Sequence, residues 1–184
     1  LRFAVLLADH LLEYFEDDAN GGFFFTASDQ EQLIQRPKSW QDEAMPSGNA
    51  VAALAIHRLG LLTGNQAYTR SAEKALQSVA DNLNKTPFHA AGFLGLLEEV
   101  NSPPFQIILR GDEATLLSWR EAILPRLKPD QMAFFVPVDA QGLPGIIAQK
   151  TRDTGPSAWI CEGFSCRAPI HDLEAVLVVL NQQD

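Results

Sequence analysis

The chain has 184 residues, a mass of 20.2 kDa and a formal net charge of −9, from 14 basic and 23 acidic residues. Hydrophobic residues make up 46% and charged residues 20%, with a mean hydropathy of −0.05, a globular composition that excludes disorder, collagen and coiled coil. The acidic balance, with a pI near 4.8, argues against a non-specific nucleic-acid binder and against docking on anionic membranes. A chain of this length buries roughly 70% of the surface that its unfolded form exposes, so its core needs no staples. Two cysteines are too few for a disulfide scaffold. No apolar run reaches the roughly 20 residues of a bilayer span. The opening LRFAVLLADHLLEYF lacks the basic start and small-residue cleavage site of a signal peptide. A soluble, cytoplasmic protein is expected. It opens without Met, inside what reads as a helix already under way, as a piece of a longer chain would.

Residues 1–16 carry Leu6, Leu7, Leu11, Leu12 and Phe15 at helical spacing, and Asp17, Asp18, Asn20, Gly21 and Gly22 end that helix. Phe23 to Thr26 is aromatic and β-prone, and reads as a short strand or an extended plug. Ser28-Asp29-Gln30-Glu31 matches a capping box, which predicts a short helix through Leu33 and Ile34. Residues 36–49 have no periodicity, and a long irregular loop in a compact domain is usually functional or disordered. Ser47 is placed to cap a helix over 49–63 that is apolar nearly all round, with Gly64 where a terminating glycine belongs. An amphipathic helix over 66–83 follows, with Tyr68, Ala72, Ala75, Leu76, Val79 and Leu83 in one stripe. Pro87 opens another, through about Val100.

Pro103-Pro104 marks a change of style. Phe105 to Leu109 reads as a buried strand, Gly111-Asp112 starts a helix that ends near Pro125, and Met132 to Val138 reads as a second strand. Residues 139–156 are loop-rich, Ala158 to Cys161 is a third short strand, and Asp172 caps a last helix through about Leu180. The expected fold is mainly α with a small α/β unit: helical hairpins over 1–102, then a three-stranded unit over 103–184. Strand–helix–strand order favours parallel pairing of the first two strands.

The loop is the best candidate site. Arg36, Lys38, Trp40, Asp42, Glu43, Ser47 and Asn49 supply two cations, an aromatic face, two carboxylates and two neutral hydrogen-bonding groups. Sugars bind to such a mixture, and general acid–base work on them needs a carboxylate or a histidine. The structural alternative is that Asp42, Ser47 and Asn49 cap a helix N-terminus while Pro46 and Gly48 shape the turn. Asp42 and Glu43 are adjacent and so tend to diverge. Glu16, Asp17 and Asp18 are either partners from across the hairpin or a solvated helix end.

Cys161 and Cys166, with four residues between them, do not fit a thioredoxin motif. Zinc would need two more ligands, and His171 is the only nearby histidine, so no metal is expected. The pair reads as two reduced, mostly buried thiols, or as a reversible disulfide in a strand-to-loop hairpin. His10, His57 and His89 lack metal-type partners and read as surface or groove residues. The single glycine at Gly111 is weak evidence for an anion site, and Gly163 to Arg167 lacks the second glycine of a nucleophile elbow. No phosphate loop, nucleic-acid motif or cofactor signature is present.

Three segments together carry a resemblance. They are GGFFFTASDQEQLIQRPKSWQDEAMPSGNAVAALAIHRLGLLTG at 21–64, PPFQIILRGD at 103–112 and AWICEGFSCRAP at 158–169. They resemble the C-terminal part of the thioredoxin-domain-containing, spermatogenesis-associated-protein-like family, whose bacterial members are called YyaL-type. The resemblance covers nearly the whole chain. It implies a thioredoxin-like domain followed by an (α/α)6 toroid similar to six-hairpin glycosidases and N-acylglucosamine 2-epimerases. This chain lacks the thioredoxin-like domain and most of the toroid, so an incomplete toroid is expected. Asp42, Ser47 and Asn49 match the family's motif. This makes Asp42 the candidate catalytic residue of a carbohydrate-type pocket, with Arg36, Lys38, Trp40, Ser47 and Asn49 as substrate-binding residues. Cys161 and Cys166 match its C-terminal cysteine pattern. Helices of an incomplete ring leave apolar faces uncovered, so self-association, or covering by the missing toroid and thioredoxin-like domain, is expected. The rival expectations are a non-enzymatic assembly or scaffold module, and a redox partner of a thioredoxin-like domain.

Overall fold

A computed structural model describes residues 1–31, 34–151, 155–163 and 165–182. The chain divides into two compact units, Leu1–Asn101 and Ser102–Asp184. It is mainly α-helical with a small α/β unit. The described residues do not close a toroid.

The first unit contains α1 (Arg2–Phe15), α2 (Gly48–Thr63), α3 (Gln66–Ser78), α4 (Ala80–Lys85) and α5 (Ala91–Asn101). A tight turn makes α2 and α3 a hairpin. Gly64 is left-handed at φ 74° and its N–H donates to the Gly60 carbonyl, while the Asn65 side chain accepts from the Ala67 N–H at 3.0 Å. Ala50, Ala53, Ala72 and Ala75 keep the facing surfaces flat, and Ile56, Tyr68, Phe93 and Leu96 fill the space between them. The Tyr68 hydroxyl donates to Asp9, tying α1 to α3, and Arg58 pairs with Glu99, tying α2 to α5.

Several boundaries differ from expectation for identifiable reasons. The helix expected over 66–83 breaks at Val79, where the Ser78 hydroxyl donates to the Ala75 carbonyl and competes with the helical ladder. The helix expected from Pro87 begins as a 3-10 turn, Pro87–His89. Ser28 lies in a turn rather than at a helix start, with its N–H held by the Tyr14 carbonyl at 2.8 Å; Ile34, the far end of that expected helix, lies in a bend, and Leu33 lies outside the described residues. On α1 the inner face is Ala8, Leu11, Leu12 and Phe15, and Leu6 and Leu7 stand 58% and 55% exposed.

The second unit contains β1 (Phe105–Gly111), α6 (Glu113–Ile123), β2 (Gln131–Pro137), α7 (Gly145–Gln149), β3 (Ser157–Glu162), β4 (Ser165–Cys166) and α8 (Leu173–Asn181). The sheet order is β2-β1-β3-β4. β1 and β2 run parallel, with Phe105 opposite Gln131, whereas β3 is antiparallel to both β1 and β4. Leu116, Trp119 and Ile123 of α6 and Val176, Leu177 and Leu180 of α8 pack with Phe105, Ile107, Leu109, Ala158 and Ile160 of the sheet. The sheet has four strands where three were expected, because two residues after the Gly163 turn suffice for a ladder. The short α7 also falls in the segment read as loop. Among the described residues, no helix is long and apolar enough to cross a membrane.

His57 on α2 is 5% exposed, and neither ring nitrogen has a hydrogen-bond partner among the described residues. Burial holds its pKa below 6.5, against the upward pull of Glu99 on α5 and Glu73 on α3; Arg58 adds to the lowering. Between the folded pKa and 6.5 the unfolded chain binds a proton that the fold refuses, so the stabilisation is complete above 6.5 and is lost as pH falls through that window. Unfolding free energies measured from about pH 5 to about pH 7.5 should rise with pH in the native chain, and this rise should flatten in His57→Leu. An equal slope in both proteins would contradict this account.

Candidate functional site

The loop over 36–49 is held by its own polar side chains. Lys38 Nζ lies 2.6 Å from Asp17 Oδ2 and also donates to the Gly21 carbonyl at 2.8 Å. Asp17 further accepts from the Ala19 and Asn20 backbone N–H groups and the Asn20 side chain. The Lys38 ammonium and those donors outweigh burial and bring the Asp17 pKa down to about 2. The Arg36 guanidinium donates to the Tyr14 carbonyl at 2.9 Å and the Thr26 carbonyl at 2.7 Å, and lies 4.1 Å from the Phe24 ring centroid. Both cations therefore fasten the loop to the end of α1 and to the phenylalanine segment. Trp40 is half-buried against the core of the unit.

The motif residues meet at the helix starts. Asn49 presents its amide to Phe23 as a neighbouring strand would: Oδ1 accepts from the Phe23 N–H at 2.6 Å, and Nδ2 donates to the Phe23 carbonyl at 2.7 Å. The same Nδ2 and the Ser47 hydroxyl both donate to the Ser39 carbonyl at 3.0 Å. Ser47 is at the N-cap position of α2, yet makes no side-chain cap bond. Asp42 takes that role: Oδ1 accepts from the Ser47 N–H at 2.7 Å, and Oδ2 accepts from the Gly92 N–H at 2.8 Å, in the first turn of α5. One carboxylate thus serves two helix N-termini, where negative charge is favoured. Two glycines allow close approaches, one beside this carboxylate and one beside the Lys38–Asp17 anchor. A Cβ at Gly92 would lie 2.9 Å from Ala50 Cβ and 3.2 Å from Asp42 Oδ1. Gly21, at φ +75°, leaves no room for a Cβ, which would fall 2.3 Å from the Lys74 carbonyl oxygen.

What stays free lies between the motif residues. Gln41 and Glu43 are exposed, and neither side chain makes a hydrogen bond among the described residues. They line a cleft of about 480 Å³ with Phe24, Phe25, Met45 and Asn49. Ser47 also lines this cleft; Arg36, Lys38, Trp40 and Asp42 do not. Asp42 points inward to the helix starts, while its neighbours Gln41 and Glu43 are exposed. Glu43 was among the loop's candidate groups; Gln41 was not, and nothing in the spacing marks it.

The other candidates resolve simply. Asp112 caps α6 through Thr115, so a carboxylate already occupies the helix start after Gly111. His10 stacks on Tyr14 at 4.4 Å between ring centroids, His89 is exposed, and His57 is buried rather than a surface or groove residue. His171 Nδ1 lies 3.0 Å from the Pro156 carbonyl and 3.2 Å from the Ser157 hydroxyl, and Ser157 is fully buried. No cluster of three His, Cys, Asp or Glu suited to a metal occurs among the described residues. Cys161 and Cys166 are joined by a disulfide, the second of the two readings that the sequence left open. The unforeseen β4 sets Cys166 directly opposite Cys161, with Cα atoms 3.9 Å apart.

No family model matches the chain. A curated relative is spermatogenesis-associated protein 20 of Homo sapiens, 23% identical over 180 residues, a stretch that covers 94% of this chain and 23% of that protein. The chain thus spans less than a quarter of the relative's length. The relative's name agrees with the resemblance read from segments 21–64, 103–112 and 158–169.

Asp42→Ala removes an acceptor from two helix starts, and urea unfolding should register a loss of about 1–3 kcal/mol. Gly92→Ala should also destabilise, by about 1–3 kcal/mol, despite alanine's better helix propensity, because Ala50 and Asp42 leave no space. Native-like midpoints in both variants would show that the loop does not brace these helices.

Proposed function

We propose that the helical unit is a non-enzymatic assembly module, one sector of a larger helical body in a longer protein. The observation that carries this reading is the outer face of α1. Phe3, Leu6 and Leu7 are 55–71% exposed on a helix whose other face is packed into the core, and Leu1 just ahead of it is exposed too. Such a row of apolar side chains exceeds the scattered exposure normal on a monomer. The occupant proposed for it is further helices of the same longer protein, as the resemblance to an incomplete toroid implies. The length of the relative supports this choice. The loop's polar residues fit the same role, because they stiffen the unit.

A Leu6→Glu/Leu7→Glu double variant tests the face. The native 184-residue chain should bind a hydrophobic dye and sediment as mixed oligomers. The variant should lose both properties while keeping its melting temperature, because the substituted residues are exposed. A native chain that is already a monodisperse monomer without dye binding would overturn the reading.

A second reading is favoured by the cleft beside Gln41 and Glu43. There an amide and a carboxylate without internal partners stand next to Phe24 and Phe25, the pairing of hydroxyl and C–H recognition that a sugar takes. The cleft would form one wall of a carbohydrate-type pocket, with Asp42 positioning its backbone. Titration with neutral mono- and disaccharides, followed by amide chemical shifts, should perturb residues 39–49 at roughly millimolar concentrations, and Glu43→Ala should abolish the effect. Shifts that persist in Glu43→Ala, or none at all, would remove this reading.

A further inference from the structure

The sheet of the second unit holds an unusual neighbour for its disulfide. Gln106 in β1 stands directly opposite Cys161 in β3, so the two side chains leave the same face of the sheet. Gln106 is 5% exposed, and its Oε1 is buried without a hydrogen-bond donor among the described residues. Cys161 is 1% exposed. In the disulfide its sulfur carries no hydrogen, so it has nothing to donate. Reduction changes that: a Cys161 thiol supplies an S–H beside the acceptor that lacks one. The two sulfurs also differ in access. Cys166 is partly exposed, on the two-residue β4, while Cys161 is sealed in the sheet. The pair occupies a non-hydrogen-bonded position of the ladder, since the next pair carries the Arg167 N–H to Ile160 carbonyl bond at 2.9 Å. That bond and the Gly163 N–H to Pro104 carbonyl bond, at 2.9 Å, do not depend on the sulfurs and keep the hairpin in place when they separate.

We infer that Cys161–Cys166 is an exchangeable thiol–disulfide couple, opened at Cys166 by a dithiol reductant, and that Gln106 is a positioning residue that favours its reduced form. A reductant thiolate attacks Cys166 Sγ and forms a mixed disulfide. The S–S bond to Cys161 breaks, and Cys161 leaves as a thiolate that takes a proton. The reductant's second thiol then attacks its own sulfur in the mixed disulfide and releases Cys166, which is protonated in turn. The reductant ends as a cyclic disulfide, and two electrons and two protons have passed to the protein. The new Cys161 S–H donates to Gln106 Oε1, a bond available only to the reduced state.

The test equilibrates the full chain in dithiothreitol buffers of graded ratio and counts thiols by mass after alkylation, with circular dichroism as a check on folding. The native chain should convert reversibly while remaining folded. Gln106→Met and Gln106→Leu remove the unpartnered acceptor and should shift the equilibrium toward the disulfide by about three- to ten-fold. In single-cysteine variants, the thiol of Cys161→Ser should alkylate quickly at Cys166, and that of Cys166→Ser should resist alkylation until the protein unfolds. Reduction only on unfolding would overturn the inference, as would unshifted equilibria in both Gln106 variants. Equal alkylation rates in the two cysteine variants would overturn attack at Cys166.

Discussion

A single carboxylate joins the starts of two helices in this protein. Asp42 accepts from the Ser47 N–H ahead of α2 and from the Gly92 N–H in the first turn of α5, using one oxygen for each. Helix starts leave backbone donors that must be satisfied by something, and here one loop residue satisfies a donor at both. The remainder of the loop follows from that anchor. Gly92 has no side chain because Asp42 and Ala50 come so close. Asn49 completes a strand-like pairing with Phe23. Lys38 and Arg36 then pin the segment to the end of α1. An irregular stretch thereby acquires the hydrogen-bond density of regular structure.

This arrangement shapes what the loop does chemically. A carboxylate that serves as general acid or base needs a lone pair or proton facing its substrate. Both oxygens of Asp42 face backbone N–H groups, and the two loop cations face carbonyls and Asp17. The groups left for a ligand are Gln41 and Glu43, which line the cleft. A rigid rim with two free polar groups suits a wall of a larger structure, and the uncovered outer face of α1 belongs to the same picture. The two observations are compatible with the assembly role proposed above.

The order of elements was largely legible in the sequence. The stripe of Tyr68, Ala72, Ala75 and Leu76, the Gly64 terminator, the Asp112 and Asp172 caps and the parallel β1–β2 pair are local signals and appear where they were read. Some of the misses share one cause: a partner distant in sequence decides. Ser28 looked like a cap, but the Tyr14 carbonyl holds its N–H. Leu6 and Leu7 looked like core, but the core takes the neighbouring stripe of α1. β4 is too short to carry a propensity signal, so the disulfide that depends on it was only one of two options. In the site, residue types singled out the 36–49 segment, and the capping alternative for Asp42 was visible. Which loop residues turn inward was not, because Gly92 and Phe23 lie far along the chain and nothing in the spacing points to them.

Amide hydrogen exchange at Phe23, Ser47 and Gly92 tests the central claim most directly. Side-chain oxygens of Asn49 and Asp42 accept from these three N–H groups. If the loop braces the helical unit, all three amides exchange only through its global unfolding, at the same free energy as the core amides of α2 and α3. Exchange near the rate of an unstructured loop, while α2 and α3 stay protected, would contradict the account and return the segment to the status of an open, ligand-ready site.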